Sequence, residues 1–164
     1  MLADVFEQLG YQYESASVRH VFLSSSEELR NGVKPFESPR AGSPTVARAM
    51  TTGQWWDAVA TRVDSQAADE INFVLNFITP DTGQTFVVEM SGGTLSNIEG
   101  YSAPNPDATI TMNRSDVETI IMGQATLGSQ LQNGVGTVTG NAALLMQLNS
   151  VLVSFDPSLE VIPG

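Results

Sequence analysis

The chain has 164 residues, of which 41% are hydrophobic and 15% are charged, and it contains no cysteine. This composition is typical of one globular domain with a short appendage, and it excludes disulfides, thiolate nucleophiles and thiolate metal sites. The formal net charge is −11, and residues 63–164 carry eleven acidic residues against one basic residue, Arg114. Because such a surface repels phosphate groups, we expect no nucleic-acid partner and no docking on anionic lipid. The longest apolar stretches are too short for a spanning helix, so no stable membrane insertion is expected.

Residues 1–34 predict a small helical segment. Apolar residues recur at helical spacing in its first turns, at Leu2, Val5, Phe6 and Leu9, and Gly10 is expected to end this helix. Residues 24–28 read SSSEE and offer two overlapping capping boxes for a second short helix that ends at Gly32. Residues 35–44 contain three prolines and are interpreted as a linker.

The remaining residues, 45–164, predict a mixed α/β (α+β) fold. Helices are expected after Ser43 as N-cap with Pro44 in the first position, and again over about residues 54–63. Alternating apolar residues predict strands at 71–78, about 86–90 and 107–113. A short strand is expected around 94–98, and the segment 134–140 is a fifth strand or an extended turn. The first two form a hairpin around Asp81-Thr82-Gly83, and Gly92-Gly93 makes the next turn.

Two more helices complete the prediction. Residues 115–118 read SDVE, a capping box for a helix that stops at Gly123. Asn141 is expected to cap a final helix with a wide apolar stripe, which is formed by Leu144, Leu145, Leu148, Val151, Leu152 and Phe155.

No catalytic group is indicated by the residue types and their spacing. His20 is the only histidine, so neither a histidine-based metal site nor a catalytic triad can be assembled. The acidic pair Asp69-Glu70 precedes a strand, and it is interpreted as the solvated start of that strand and not as a general acid/base pair. We therefore expect no catalytic residue, no metal and no cofactor.

The apolar stripes have two interpretations that periodicity alone leaves open. They either fill an ordinary core between sheet and helices, or they line a cavity for an apolar ligand. Trp55 and Trp56 are similarly ambiguous, because adjacent helical residues point about 100° apart and one ring can lie at a pocket mouth. The candidate lining residues are Trp55, Phe73, Leu75, Phe77, Phe86, Val88, Met90, Ile110, Met112, Ile121, Leu144, Leu145, Leu148 and Leu152.

An ordered set of motifs from Trp55 to Gly164 resembles the sterol carrier protein 2 (SCP2) family. It consists of INFVLNF at 71–77, TGQTF at 82–86, PDATITM at 106–112, Gly123, the segment 134–140 and FDP at 155–157. In that family a sheet and helices enclose a tunnel, so the resemblance implies an SCP2-like fold of about five mostly antiparallel strands covered by helices. It also implies a fatty alkyl chain or lipid-like small molecule as ligand.

The first residues are similar to the region that precedes the SCP2-like domain of bacterial alkyl sulfatases. The similarity is carried by LAD at 2–4, QLGYQ at 8–12, FLS at 22–24 and ELRNG at 28–32. Those enzymes have a metallo-β-lactamase-type catalytic domain with two zinc ions, then a helical dimerisation segment, then the SCP2-like domain. The histidine-rich zinc motif of the catalytic domain has no counterpart in this chain.

The resemblance therefore implies a non-catalytic module that recruits substrate for an alkyl sulfatase. Residues 1–34 would be the end of the dimerisation region, 35–44 a linker and 45–164 the SCP2-like domain, with a homodimer and a separate catalytic domain as partners. The alternative is a structural or dimerisation module with a filled core and no ligand. Residues 1–4 lack the basic and apolar runs of a signal peptide, and a soluble bacterial protein is expected, cytoplasmic or, with a signal in a longer parent, periplasmic or secreted.

Overall fold

The structure is a computed structural model that describes residues 1–33 and 43–154. These residues form two units, a helical unit within the first range and a sheet unit within the second. Most of the predicted linker, at 35–42, and Phe155 of the predicted final stripe lie outside the described residues.

The helical unit consists of two helices, α1 (Leu2–Gln12) and α2 (Ala16–Asn31). The prediction that Gly10 ends the first helix was wrong, because α1 continues for two residues beyond it. Gly10 is buried, and a Cβ at this position would lie 2.8 Å from the side chain of Leu23 on α2. The glycine therefore serves close packing of the two helices and does not terminate the first.

The second helix is longer than its sequence signals predicted. Residues 24–28 do not start a helix, because α2 begins after Ser15 and contains them in its second half. The Phe22 ring lies 5.7 Å from that of Phe6 on α1. Packing against α1 therefore stabilises the first half of α2, although no capping motif in the sequence predicts a helix there. The predicted end is confirmed, since Gly32 follows the helix with a φ of 74°.

The sheet unit contains one five-stranded sheet in the order β3-β2-β1-β4-β5. Its strands are β1 (Phe73–Thr79), β2 (Gln84–Ser91), β3 (Thr94–Glu99), β4 (Ala108–Thr111) and β5 (Thr137–Gly140). Neighbouring strands are antiparallel except β1 and β4, which are parallel. The predicted α+β fold with a mostly antiparallel sheet is therefore confirmed.

Five helices accompany the sheet in residues 43–154. They are α3 (Pro44–Ala49), α4 (Thr52–Ala60), α5 (Arg114–Ile121), α6 (Leu127–Gln132) and α7 (Ala143–Ser150). The Ser43 cap is confirmed, as its hydroxyl accepts the N–H of Val46. The next helix, α4, starts earlier than predicted because Thr51 and Gln54 form a capping box. The N-cap of α7 is Ala142 and not the predicted Asn141, which lies one residue before it, although Asn141 Oδ1 accepts the N–H of Ala143 at 3.1 Å.

The N-terminus of α5 is capped from a distant part of the chain. The predicted box at 115–118 was wrong: the N-cap is Asn113 and not Ser115, so α5 starts two residues earlier, at Arg114, and Asn113 makes no side-chain hydrogen bond. The carboxylate of Asp81, in the β1–β2 turn, instead accepts the N–H groups of Arg114 at 2.7 Å and Ser115 at 3.2 Å. A non-local acceptor thus replaces the local one and ties α5 to the hairpin.

The two faces of the sheet differ in what covers them. One face carries the apolar core, because register pairs Phe73 with Met90 and Phe77 with Phe86 on the same side. On the other face lies Asn76, 5% exposed, whose amide exchanges two hydrogen bonds with the backbone of Ala103. That buried amide holds the connection between β3 and β4 across the outer face.

Candidate apolar ligand site

All fourteen sequence-predicted site residues lie in one apolar cluster of the sheet unit. Eleven of them are buried, and Ile121, Leu145 and Leu152 are half-buried and pack against the others. The strands contribute the floor of this cluster and the helices its cover. The structure therefore brings the predicted residues together.

The floor is set by strand register. Phe77 pairs with Phe86 on β2 and with Ile110 on β4, so these three side chains form a row across the sheet. Leu75 and Val88 form the next row. Because successive strand residues alternate between faces, both rows point to the core side.

Two tryptophans of α4 cover part of the floor. Trp55 and Trp56 are 7% and 1% exposed, and their ring centroids lie 5.7 Å and 5.3 Å from that of Phe77. Both rings thus lie in the core, and the possibility of a rim position for one of them is not realised. The Nε1–H of Trp56 has no hydrogen-bond partner among the described residues, while its ring meets Phe77 nearly edge-on at 83°.

The centre of the cluster is closely packed. Phe77, Phe86, Val88, Met90 and Ile110 each have 0% exposure, so no space for a water-sized sphere borders their side chains. A ligand can reach these residues only by displacing a neighbouring side chain. Groups that a ligand meets first must therefore be the half-buried ones at the margin of the cluster.

That margin, which we name the apolar rim, consists of half-buried side chains on α5, α6, β5 and α7 that pack against the core. Its members are Ile120, Ile121, Leu127, Leu131, Val138 and Leu145. Sequence reasoning found only Ile121 and Leu145. Leu127 and Leu131 are spaced i, i+4 on α6, and this spacing is the signal that was available for them.

The rim region carries little positive charge. Arg114 is the only basic residue of 63–154, and its side chain is 11% exposed. Its Nη2 donates to the carbonyl oxygens of Ala47, at 2.9 Å, and Met50, and its Nη1 lies 3.7 Å from the carboxylate of Glu118. Its guanidinium is thus engaged at the end of α3, where cations are favoured, and it is not presented to solvent as an anion site.

The described residues show neither a metal site nor a membrane-spanning helix. Within 1–33 and 43–154 no group of three or more His, Cys, Asp or Glu side chains is placed to hold a metal ion. His20 is exposed on α2. In the same ranges, no helix has the length and apolar character needed to cross a membrane.

Comparison with known proteins shows that the chain is similar to the C-terminal part of alkyl sulfatases. Residues 40–164 match the family model described as alkyl sulfatase C-terminal. A linear primary-alkylsulfatase from a Pseudomonas species is 35% identical over 156 residues, which are 95% of this chain and 23% of that protein. An (R)-specific secondary-alkylsulfatase from a Pseudomonas species is 28% identical, over 98% of this chain and 24% of its own length.

Solved structures agree with the sequence matches. The stereoselective inverting sec-alkylsulfatase Pisa1 from a Pseudomonas species superposes with a TM-score of 0.80 at 28% identity, over 96% of this chain and 25% of its own. Palmitated SCP2L2 from Aedes aegypti superposes with a TM-score of 0.50 at 25% identity, over 60% of this chain and 87% of its own. The sheet unit therefore has an SCP2-like fold, and the chain spans about a quarter of the length of its alkylsulfatase relatives.

Proposed function

The chain belongs to the alkyl sulfatase C-terminal family, and from this premise we propose that its sheet unit binds the alkyl chain of an apolar ligand without catalysing a reaction. The observation that carries the proposal is the single apolar cluster on the helix side of the sheet, together with its half-buried rim. The structurally similar SCP2L2 is described as palmitated, which supports an acyl or alkyl chain as the ligand class.

The binding energy would come from apolar burial. Each methylene removed from water contributes about 0.8 kcal/mol, so about eight methylenes supply roughly 6 kcal/mol before the costs of ordering the ligand. A site of this kind discriminates chain length more strongly than headgroup.

The negative charge of the domain disfavours a ligand with an anionic headgroup. Residues 63–164 carry a net charge of −10, and their one cation, Arg114, is already hydrogen-bonded to two carbonyl groups. We therefore expect a long-chain alcohol to bind more tightly than the sulfate ester of the same chain length. Equal or tighter binding of the sulfate contradicts this part of the proposal.

We propose that, in a protein as long as its relatives, this module delivers the alkyl chain to a separate catalytic domain. The relatives are about four times as long as the chain, and the family resemblance assigns them a zinc-dependent catalytic domain of the metallo-β-lactamase type. Substrate captured by its alkyl chain would be concentrated near that domain.

For the helical unit we propose contact with a second copy of the chain. Leu2, Val5 and Val21 are each more than half exposed, and a surface groove runs along α1 beside Val5 and Leu9. Two short helices do not normally leave this much apolar surface in water. The resulting homodimer is testable by sedimentation, with Val5→Glu expected to shift the protein to monomer.

The ligand site is tested by placing a charge on the rim. Leu145→Asp is expected to weaken dodecanol binding about tenfold or more, because an uncompensated carboxylate disfavours apolar contact. Ile98→Asp is the matched control: Ile98 is 55% exposed and pairs with Val87 on the opposite face of the sheet. Calorimetric titration of both variants should show the loss only for Leu145→Asp, and an equal effect of the two substitutions contradicts the site.

A further inference from the structure

We propose that residues 124–135, which we name the α6 flap, cover the portal of the ligand site, and that an alkyl chain enters by replacing Leu127 and Leu131 against the core. This proposal rests on the proposed alkyl-chain site and adds the route by which it fills. It follows from how the flap is attached to the rest of the sheet unit.

The hydrogen bonds at both ends of α6 are made within the flap. At its start, Thr126 and Ser129 cap each other, with N–H to hydroxyl distances of 3.1 Å and 3.0 Å. At its end, the N–H of Gly134 donates to Leu131 at 3.1 Å and that of Val135 to Gln130 at 3.0 Å. Both ends of α6 are thus satisfied locally, so the helix can move as a unit without exposing unpaired backbone groups.

No hydrogen bond ties the core of the flap to the remainder of the described chain. The structure records hydrogen bonds of residues 125–135 only among themselves, and Gln124 bonds back to Thr119 on α5. Glycines with positive φ stand at both ends, Gly123 at 67° and Gly134 at 73°. With Gln124 left in place as the hinge, movement of residues 125–135 therefore breaks no hydrogen bond to the rest of the described residues.

What holds the flap is apolar contact. No residue of α6 is fully buried, and Leu127 and Leu131 are half-buried against the core. A Cβ at Gly136 would lie 3.1 Å from Cδ2 of Leu131 and 3.0 Å from Cε of Met112. The missing side chain at Gly136 lets the leucine approach the core methionine closely.

Such contacts can be exchanged for a ligand. Apolar attraction has no directional requirement, so methylenes of an alkyl chain replace leucine methyl groups with little loss. The same exchange at α4 is opposed by the two buried tryptophans. The flap is therefore the part of the cover where an apolar chain meets least resistance.

The test compares rates of ligand uptake. Bromododecanol is mixed with the protein, and quenching of Trp55 and Trp56, the only tryptophans of the chain, reports its arrival in the core. Leu127→Ala and Leu131→Ala are each expected to speed uptake about tenfold, because about 1.4 kcal/mol of lost flap packing corresponds to a factor of ten in the open population. Val59→Ala is the control, since Val59 is half-buried against the same cluster but lies on α4.

Two outcomes overturn the proposal in distinguishable ways. In the first, the probe quenches the tryptophan fluorescence of the wild-type protein, but both flap variants take up the probe no faster than Val59→Ala does. In that case the site exists but the flap is not its portal. If wild-type protein is not quenched at saturating probe, the alkyl-chain site itself is absent. Urea midpoints of the four proteins show whether a faster rate follows general destabilisation, in which case Val59→Ala is accelerated as well.

Discussion

Replacement of Arg114 tests whether a single buried guanidinium joins α3 to α5. Its Nη2 donates to two carbonyl oxygens at the end of α3, those of Ala47 and Met50, and Glu118 lies 3.7 Å away. Hydrogen bonds from a charged donor contribute about 1.5–3 kcal/mol each. In the variant, water hydrogen-bonds to the half-buried carbonyl of Met50 and offsets part of the loss. We expect Arg114→Ala to lower the free energy of unfolding by about 3 kcal/mol.

The assay is urea unfolding followed by tryptophan fluorescence. With a slope of about 2 kcal/mol per molar urea, the midpoint should fall by about 1.5 M. Arg114→Lys keeps the charge on a shorter side chain, so its ammonium group is not expected to reach both carbonyl oxygens, and about half of the loss is expected. Arg48→Ala is the control, because Arg48 is exposed on α3 and its removal should change the free energy by less than about 0.5 kcal/mol.

Two results would refute this reasoning. If Arg114→Ala and Arg48→Ala lower the midpoint equally, the contacts to α3 contribute nothing beyond a surface charge. If Arg114→Lys retains full stability, the length and shape of the guanidinium side chain are irrelevant and only the charge matters.

Further predictions concern the two turns at the ends of β2. Gly93→Ala should cost about 2–4 kcal/mol, because its φ is +70° and its Cβ would lie 2.4 Å from the carbonyl oxygen of Ser65. Gly92→Ala, with a φ of +53° and open space, should cost only about 1–2 kcal/mol in the same urea assay, and equal losses contradict the close approach. Burial acts to raise the pKa of Asp81, but the N–H groups of Arg114 and Ser115 hold it below its ordinary value of 3.8. A carboxyl group whose pKa is lower in the folded state stabilises the fold above its ordinary pKa, and this stabilisation is lost as the pH falls. The difference in the free energy of unfolding between wild type and Asp81→Asn should therefore narrow from pH 6 to pH 3. A constant difference argues against this role.

The strands were predictable because their signal is local. Alternation of apolar residues predicted the first, second and fourth strands, and the Gly92-Gly93 turn predicted the third. The segment 134–140, predicted as a strand or an extended turn, contains the fifth strand at Thr137–Gly140. The same alternation predicted which strand residues belong to the apolar cluster, because every second residue of a strand points to the same face of the sheet.

What could not be predicted depends on contacts between distant residues. Asp81 caps α5 from across a hairpin, and no local pattern announces such a partner. Gly10 was assigned as a helix stop because the nearness of Leu23 is visible only once the two helices pack. The capping box of Thr126 uses Ser129 in place of the usual glutamate or glutamine, so α6 and its two rim leucines were missed.

Native mass spectrometry of the chain with and without dodecanol shows whether the sheet unit holds an alkyl chain. We expect a species with one ligand per chain, retained from expression or added, that is depleted in Leu145→Asp and unchanged in Ile98→Asp. An apo mass that saturating dodecanol does not shift would contradict it, and the apolar cluster would then be a filled structural core.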